Sequence, residues 1–215
     1  MTDDYAAALD GTGSLHATHI SPPSSIAFGD LELGDGSTVQ HPAFVIDDDG
    51  AYHATWQSLG APGGLIYRSS TDEGATWSEP ESLSDDEFFT RRPGLAVASD
   101  GTAHVFFASS DLFHRSGVAG AFGPLEAVAV GIGNVPSAGS VAVDGTAHAF
   151  WTDASGVQHA ARTEGTWSAP APVPGTEGAV AEELAATAGP DGSVVVAWIE
   201  PGPPFVVRYA AVPAD

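Results

Sequence analysis

The residues that could perform chemistry in this chain are carboxylates and histidines, because the sequence contains neither cysteine nor lysine. Three acids stand in predicted loops and are the candidate catalytic residues: Asp153, Glu183 and Glu200. Two carboxylates about 5–10 Å apart can cleave a glycosidic bond by acid and base catalysis. A glycosidase-like hydrolase that uses a pair from this set is therefore one hypothesis, although the sequence contains no complete catalytic signature.

Histidine recurs at one position of an internal repeat, and Val195 takes its place in the last copy. The repeated histidines are His16, His53, His104 and His148. Four imidazoles arranged around an axis can bind iron, zinc or copper. The same pattern arises when a unit with a buried, hydrogen-bonded histidine is duplicated, and we favour that interpretation. A bound metal ion is the alternative, and no other cofactor is expected.

A repeated hairpin must position all of these residues. Each copy reads as an apolar strand, an Asp-Gly turn and a second apolar strand, which ends in an aromatic residue in all but the loosest copy. Clear copies occupy residues 44–56, 95–107 and 140–151, a weaker copy occupies 185–198, and a loose copy occupies 6–19. The 215 residues divided among five copies give about 43 residues per unit, which is close to the period of a four-stranded propeller blade.

The repeat predicts an all-β fold: a single small β-propeller of five four-stranded blades, of which the last could be incomplete. The blades are expected at about residues 1–38, 39–88, 89–133, 134–178 and 179–215. In each blade, strand A leads through the Asp-Gly turn to strand B, and then to strands C and D. Aspartate and glycine suit this turn because a two-residue hairpin that matches the strand twist needs positive φ angles.

A second turn, between strands C and D, carries a resemblance to a known family. Residues 70–77, Ser-Thr-Asp-Glu-Gly-Ala-Thr-Trp, match the Asp-box pattern S-x-D-x-G-x-T-W in full, and residues 162–170 and 115–124 are worn copies. Over about residues 40–212, the chain resembles the Asp-box (BNR repeat) sialidase-like β-propellers. In that family the box is structural. The resemblance implies the same role for four residues here: Asp72, Gly74, Trp77 and Trp167.

The resemblance extends to one arginine but not to a sialidase active site. Arg92 precedes a proline at the start of strand A, which is where the family places a carboxylate-binding arginine. Sialidases need three such arginines and a Tyr-Glu pair. Three other arginines repeat on strand C just before the box and are expected to be structural: Arg68, Arg115 and Arg162. Sialidase activity is therefore not expected.

Propeller topology brings the D-to-A loops and the B-to-C loops to one end of the ring, here called the top face. Six polar residues in these loops are the candidate ligand-binding residues: His41, Gln57, Arg92, Asn134, Asp153 and Glu183. Such a set suits a polar ligand held by bidentate hydrogen bonds. The sequence therefore predicts a lectin-like module that binds a glycan or another small polar ligand. Beside the hydrolase and the metal site, a structural or protein-binding propeller is the remaining alternative.

The charge balance limits the partners that the protein can have. Six arginines face 28 acidic residues, which gives a net charge of −22, and such a surface repels nucleic acid and anionic membranes. No apolar run is long enough for a membrane span. No signal peptide is visible, and an extracellular location after removal of a leader is slightly favoured over a cytoplasmic one. An edge left exposed by the last blade could pair with a second copy in a homodimer.

Overall fold

The computed structural model describes residues 4–9, 14–21, 25–28, 31–33, 38–60, 63–84, 93–133 and 135–214. Within these residues every regular element is a β-strand, which confirms the all-β prediction. The same part of the chain contains no helix that is long and apolar enough to cross a membrane. The strands form five separate sheets, which follow one another along the sequence.

Each sheet is built from strands that are consecutive in the chain. The first sheet contains β1 (Asp4–Leu9), β2 (Leu15–Ser21), β3 (Ser25–Phe28) and β4 (Leu31–Glu32). The second contains β5 (Val39–Ile46), β6 (Tyr52–Ser58), β7 (Gly64–Ser70) and β8 (Glu81–Ser82), and the third contains β9 (Gly94–Val97), β10 (Ala103–Ala108), β11 (Leu112–Val118), β12 (Ala121–Phe122) and β13 (Glu126–Ala129). The fourth contains β14 (Ser137–Val141), β15 (Ala147–Asp153), β16 (Gly156–Thr163), β17 (Thr166–Trp167) and β18 (Ala171–Pro172), and the fifth contains β19 (Glu183–Ala188), β20 (Val194–Glu200) and β21 (Val206–Val212).

The arrangement is that of a β-propeller, because the first strand of each sheet packs beside the first strand of the next. In order, β1 contacts β5, β5 contacts β9, β9 contacts β14, and β14 contacts β19. The first four sheets have at least four strands each, whereas the fifth has three. The prediction of five four-stranded blades is therefore not matched: four blades are complete, and the described residues supply no strand D to the last sheet.

The hydrophobic core lies between consecutive sheets. Each of the four clusters in the described residues joins two neighbouring sheets; for example, Ile26 of the first sheet packs with Phe44 of the second, and Phe150 of the fourth packs with Val196 of the fifth. The aromatic residues that end the second strands are at most 4% exposed: Trp56, Phe107, Trp151 and Trp198. These repeated aromatic residues thus serve the contacts between sheets.

The turn at residues 70–77 is closed by its own side chains. The Asp72 carboxylate accepts hydrogen bonds from the Thr76 amide at 2.8 Å and from the Thr76 hydroxyl at 2.6 Å. Gly74 has a φ of 85°, in the left-handed region that glycine tolerates. The Trp77 indole donates to the Gly74 carbonyl at 3.1 Å and packs edge-on against Phe28 of the first sheet. Asp72, Gly74 and Trp77 thus each have a structural role in this turn.

Two arginines on third strands tie their sheet to the sheet before it. Arg68 Nε donates to the Ser78 carbonyl of its own sheet at 2.6 Å, and Nη1 donates to the Leu33 carbonyl after the first sheet at 2.9 Å. Arg115 makes the corresponding bonds at 2.7 Å within its own sheet and at 3.1 Å to the end of the second sheet. We call this arrangement the arginine clasp, and it gives both residues the structural role that the sequence predicted.

Arg162 has a related role from a different position. Strand pairing shows that the residue equivalent to Arg68 and Arg115 is Ala160, so Arg162 lies two residues further along β16. The prediction that Arg162 shares the position of Arg68 and Arg115 was therefore wrong. A shift of two residues keeps a side chain on the same face of a strand, so the sequence pattern does not distinguish the two positions. Its guanidinium still reaches the third sheet, through hydrogen bonds of 2.6 and 2.7 Å to the Glu126 carboxylate.

Candidate functional site

A cavity of about 220 Å³ lies between the innermost strands of the second to fifth sheets, where these strands begin. Its wall consists of residues 42–43, 93–95, 136–139 and 182–186. Three of these four segments open with a proline, which suits the start of a strand because proline has no amide hydrogen to pair. The described innermost strands of four sheets therefore converge on one axial cavity at the predicted top face.

Ser137 lines this cavity and carries an unpaired polar atom. The residue is 8% exposed, and its Oγ has no hydrogen-bond partner among the described residues. Leaving such a hydroxyl unpaired costs about 1–3 kcal/mol, so the site favours a ligand atom or a water molecule that completes the bond. Sequence analysis did not single out Ser137, although its place after Pro136 repeats the proline-led start of the other wall segments.

Two further unpaired atoms lie at the same level of the ring. Trp198 Nε1 is buried without a partner in the described structure, and Trp198 pairs across its sheet with Leu184, which lines the cavity. Gln57 Oε1 is likewise buried and unpaired, and Gln57 pairs with Gln40 at the start of β5. Gln57, a predicted ligand-binding residue, is thus a buried residue beside the axial site.

The acidic residues of the cavity are Glu182 and Glu183, of which Glu183 was predicted both as a catalytic and as a ligand-binding residue. Asp153 lies in the β15–β16 turn, where the Ser155 hydroxyl and amide donate to it at 2.6 and 2.7 Å. The Ser155 hydroxyl is the main cause of the lowered pKa of Asp153. Glu200 pairs instead with Arg208 at 3.0 Å. Of the three candidate acids, the structure places only Glu183 at the cavity.

The residue that precedes the wall segment 42–43 has unusual backbone geometry. His41, a predicted ligand-binding residue, has a φ of 54° and sits in a break of strand register between Gln40 and Ala43. Such left-handed, bulged positions re-aim a side chain and cluster at functional sites. Arg92 and Asn134, the two remaining candidates, lie outside the described residues.

The three repeated histidines whose side chains the structure describes do not meet at an axis. His53 bonds to Tyr67 at 2.6 Å and to Asp47 at 3.0 Å within the second sheet. His104 bonds to His114 at 3.1 Å in the third sheet, and His148 bonds to His159 at 2.9 Å in the fourth; the His16 side chain lies outside the described part. Among the described residues no group of three or more histidines and acids is arranged to hold a metal ion.

The third and fourth sheets are joined by a partly buried network around one of these pairs. His114 bonds to Glu126 at 3.3 Å, and the same carboxylate accepts bonds from Arg162 and from the Trp167 indole at 3.1 Å. Burial lowers the pKa of His104 and of His114 to about 4. Burial acts to raise the pKa of Glu126, but the bonds and charge of Arg162 lower it overall. Trp167 thus has the structural role that was predicted.

Comparison with known proteins shows the fold alone. No family model matches the chain, and no curated protein matches it by sequence. A triple mutant of AofleA from Arthrobotrys oligospora superposes with a TM-score of 0.66 at 15% identity, over 99% of this chain and 69% of that one. The α-L-arabinanase of Penicillium chrysogenum, complexed with arabinobiose, gives 0.56 at 11% identity, over 98% and 80%. A mutant of Aleuria aurantia lectin, in complex with α-methyl-L-fucoside, gives 0.55 at 12%, over 98% and 78%.

Proposed function

We propose that this propeller binds a carbohydrate, or another small ligand rich in hydroxyl groups, in the axial cavity. The observation that carries the proposal is a cavity lined by both Ser137, whose buried hydroxyl has no partner among the described residues, and Glu183. A serine hydroxyl both donates and accepts, and a carboxylate accepts up to four hydrogen bonds. Neighbouring hydroxyls of a sugar ring match that combination of groups.

The size of the cavity and the structural neighbours support this assignment. A space of about 220 Å³ is smaller than a drug-sized pocket of about 300–1,000 Å³ and suits a monosaccharide. Two of the neighbouring propellers are described in complex with sugars, namely arabinobiose and α-methyl-L-fucoside. We favour binding over hydrolysis because Asp153 and Glu200 do not line this cavity.

We further propose that the chain is an Asp-box propeller and that its last sheet is a fifth blade without strand D. Support for the first point comes from the closed turn at residues 70–77, in which Thr76 donates two hydrogen bonds to the Asp72 carboxylate. Support for the second comes from β19, which packs on β14 as the other first strands pack on one another.

Isothermal titration calorimetry with a panel of monosaccharides that includes L-fucose and L-arabinose tests the binding proposal. We expect millimolar or tighter binding of at least one sugar. The variants Ser137→Ala and Glu183→Gln each remove one hydrogen-bonding group and should weaken binding about five- to tenfold. Glu200→Gln is the matched control, because it neutralises an acid outside the cavity and should leave the affinity unchanged.

Three results would count against the proposal. They are no binding of any sugar at 100 mM or less (about the weakest measurable range), equal binding by both cavity variants and the parent, and a loss of affinity in Glu200→Gln alone. Release of nitrophenol from nitrophenyl glycosides by the parent, but not by Glu183→Gln, would replace binding by hydrolysis at the same cavity.

A further inference from the structure

The axial cavity has few polar side chains in its lining, and the charged ones all have the same sign. Among the described lining residues, only three carry a polar side chain: Ser137, Glu182 and Glu183. The other described lining residues are proline, glycine, alanine and leucine, so none of them is basic or aromatic. A sugar in this cavity therefore finds no aromatic side chain to stack on among these residues, and one hydroxyl and two carboxylates are the side-chain groups that can select it.

The strand register brings the hydroxyl and one carboxylate to nearly the same level of the ring. Ser137 pairs with Trp151 across the fourth sheet, and Leu184 pairs with Trp198 across the fifth. The two tryptophans hold equivalent positions of the repeat, so Ser137 and Leu184 are equivalent, and Glu183 lies one residue nearer the start of its strand. Because β14 and β19 contact each other, these groups belong to adjacent strands of one wall.

The hydroxyl and the carboxylates differ in their exposure to solvent. Ser137 is 8% exposed, and its Oγ has no partner among the described residues, whereas Glu182 and Glu183 are exposed. A cleft lined by charges of one sign raises the local concentration of ligands of the opposite sign. The net charge of −22 on the whole chain acts in the same direction, so the cavity attracts cations and repels anions.

The segment that precedes the third part of the wall in the sequence does not reverse this charge. Residues 85–92 lie outside the described residues, and their sequence contains three acids beside the two arginines Arg91 and Arg92. The segment is therefore negative overall. The charge of the wall and of this segment together disfavours an anionic sugar as the ligand of the axial cavity.

We propose that the axial cavity selects sugars that carry a protonated amino group over neutral and acidic sugars, an inference that rests on the proposed binding of sugars there. The ammonium group of such a ligand donates to the Glu183 or Glu182 carboxylate, while a ring hydroxyl pairs with the Ser137 hydroxyl. Hydrogen bonds between charged partners are about twice as strong as those between neutral ones. A sugar acid would instead bring a third carboxylate to this wall, where like charges repel.

The test compares sugars that share a ring and differ in one group. Glucose, glucosamine and glucuronate form one series, and galactose, galactosamine and galacturonate form a second series of different stereochemistry. Calorimetry with the full chain is done at low salt and about pH 6, where an amine of this kind is protonated. In at least one series we expect the amino sugar to bind about tenfold more tightly than the neutral sugar, and the sugar acid to bind least. The N-acetylated amino sugar, which has no charge, should lose this advantage, and roughly 0.5 M salt should reduce it.

Variants separate the effect of charge from the binding of sugar as such. Glu183→Gln should weaken the binding of the amino sugar more than that of the neutral sugar, and so lower the ratio of the two affinities about threefold. Ser137→Ala removes an uncharged group, so it should weaken both sugars alike and leave the ratio unchanged. Glu200→Gln is the matched control, because it neutralises an acid of the same sheet that does not line the cavity, and it should change neither affinity.

The possible failures can be told apart. Equal affinity of the parent for the amino sugar and the neutral sugar would overturn the selectivity but leave sugar binding standing. No binding of any sugar at about 100 mM would overturn both proposals. An unchanged affinity ratio in Glu183→Gln, or an equal fall in Glu200→Gln, would remove the selectivity from this cavity. Tightest binding of a sugar acid, lost in Arg92→Gln, would replace the cationic ligand by an anionic one.

Discussion

One position of the third strand is buried where the third sheet meets the fourth, but the same position is exposed on the last sheet. At the former, His114 is fully buried beneath Trp167, and Glu126 joins the two sheets through Arg162. In the last sheet, the equivalent Tyr209 is 78% exposed. The position along the strand is the same, so the difference comes from the neighbour, since a third-strand residue is buried only where the outer strand of a following sheet covers it.

The test with the largest expected effect truncates the same residue type, tyrosine, at equivalent positions of two sheets. Tyr67 is 1% exposed, contacts Phe122 and bonds to His53, whereas Tyr209 is open. Truncation of a buried aromatic residue costs about 3–5 kcal/mol, so Tyr67→Ala should lower the free energy of unfolding by about 4 kcal/mol. Tyr209→Ala should change it by less than about 0.5 kcal/mol. Urea titration followed by tryptophan fluorescence measures both, and similar losses would contradict the comparison.

A second test removes the acid that joins two sheets. Glu126 accepts bonds from Arg162, from Trp167 and from His114. Glu126→Ala leaves the arginine without its partner, and we expect a loss of about 3 kcal/mol in urea titration. Glu200→Ala breaks the pair with the largely exposed Arg208 and should cost below about 1 kcal/mol. Equal costs would mean that the network adds nothing beyond a surface ion pair.

A third test uses pH. His104 and His114 have pKa values of about 4 in the folded protein, below the ordinary value of about 6.5 that applies when the chain is unfolded. The unfolded chain therefore binds more protons between these values, and stability falls as the pH drops from about 6.5 to about 4. At about 1.4 kcal/mol per pH unit, we expect a loss of about 3 kcal/mol for each of the two imidazoles over this range.

The variant His104→Val, which copies the residue found at Val195 in the fifth sheet, isolates this effect. Urea titrations at pH 7 and pH 4.5 should show a smaller fall in stability for the variant than for the parent. An identical fall would assign the acid sensitivity to the carboxylates with lowered pKa values, such as Asp72 and Asp144.

The hairpins and turns could be predicted from the sequence because their signals are local. The Asp-Gly pairs fix the positive φ angles seen at Gly50, Gly101 and Gly145, and alternating residues identify the flanking strands. The position of Arg162 could not be predicted, because a register two residues away presents the same face and the same hydropathy. The sequence pattern predicted that the last blade could be incomplete, because only one apolar strand follows its second strand, but the pattern does not show what pairs with that strand.

The location of the candidate site could be predicted from the sequence, but several of the residues that form it could not. Topology placed the loops of Glu183 and His41 at one end of the ring, where the structure has the axial cavity. Ser137 and Trp198 became visible only as buried atoms without partners. Whether a polar atom has a hydrogen-bond partner depends on neighbours that are distant in sequence, and no periodic pattern in the sequence indicates it.

The arginine clasp acts in one direction along the chain, from a sheet to the sheet that precedes it. Arg68 and Arg115 each donate to a carbonyl at the end of the preceding sheet. The last sheet has Ala210 at the equivalent position, so this position makes no such hydrogen bond to the fourth sheet. In arrays of repeats, stability is the sum of each unit and its contacts with neighbours. Opening of this molecule should therefore start at its carboxyl-terminal sheet, and the second sheet, which is clasped on both sides, should be among the last to exchange its amide hydrogens with solvent.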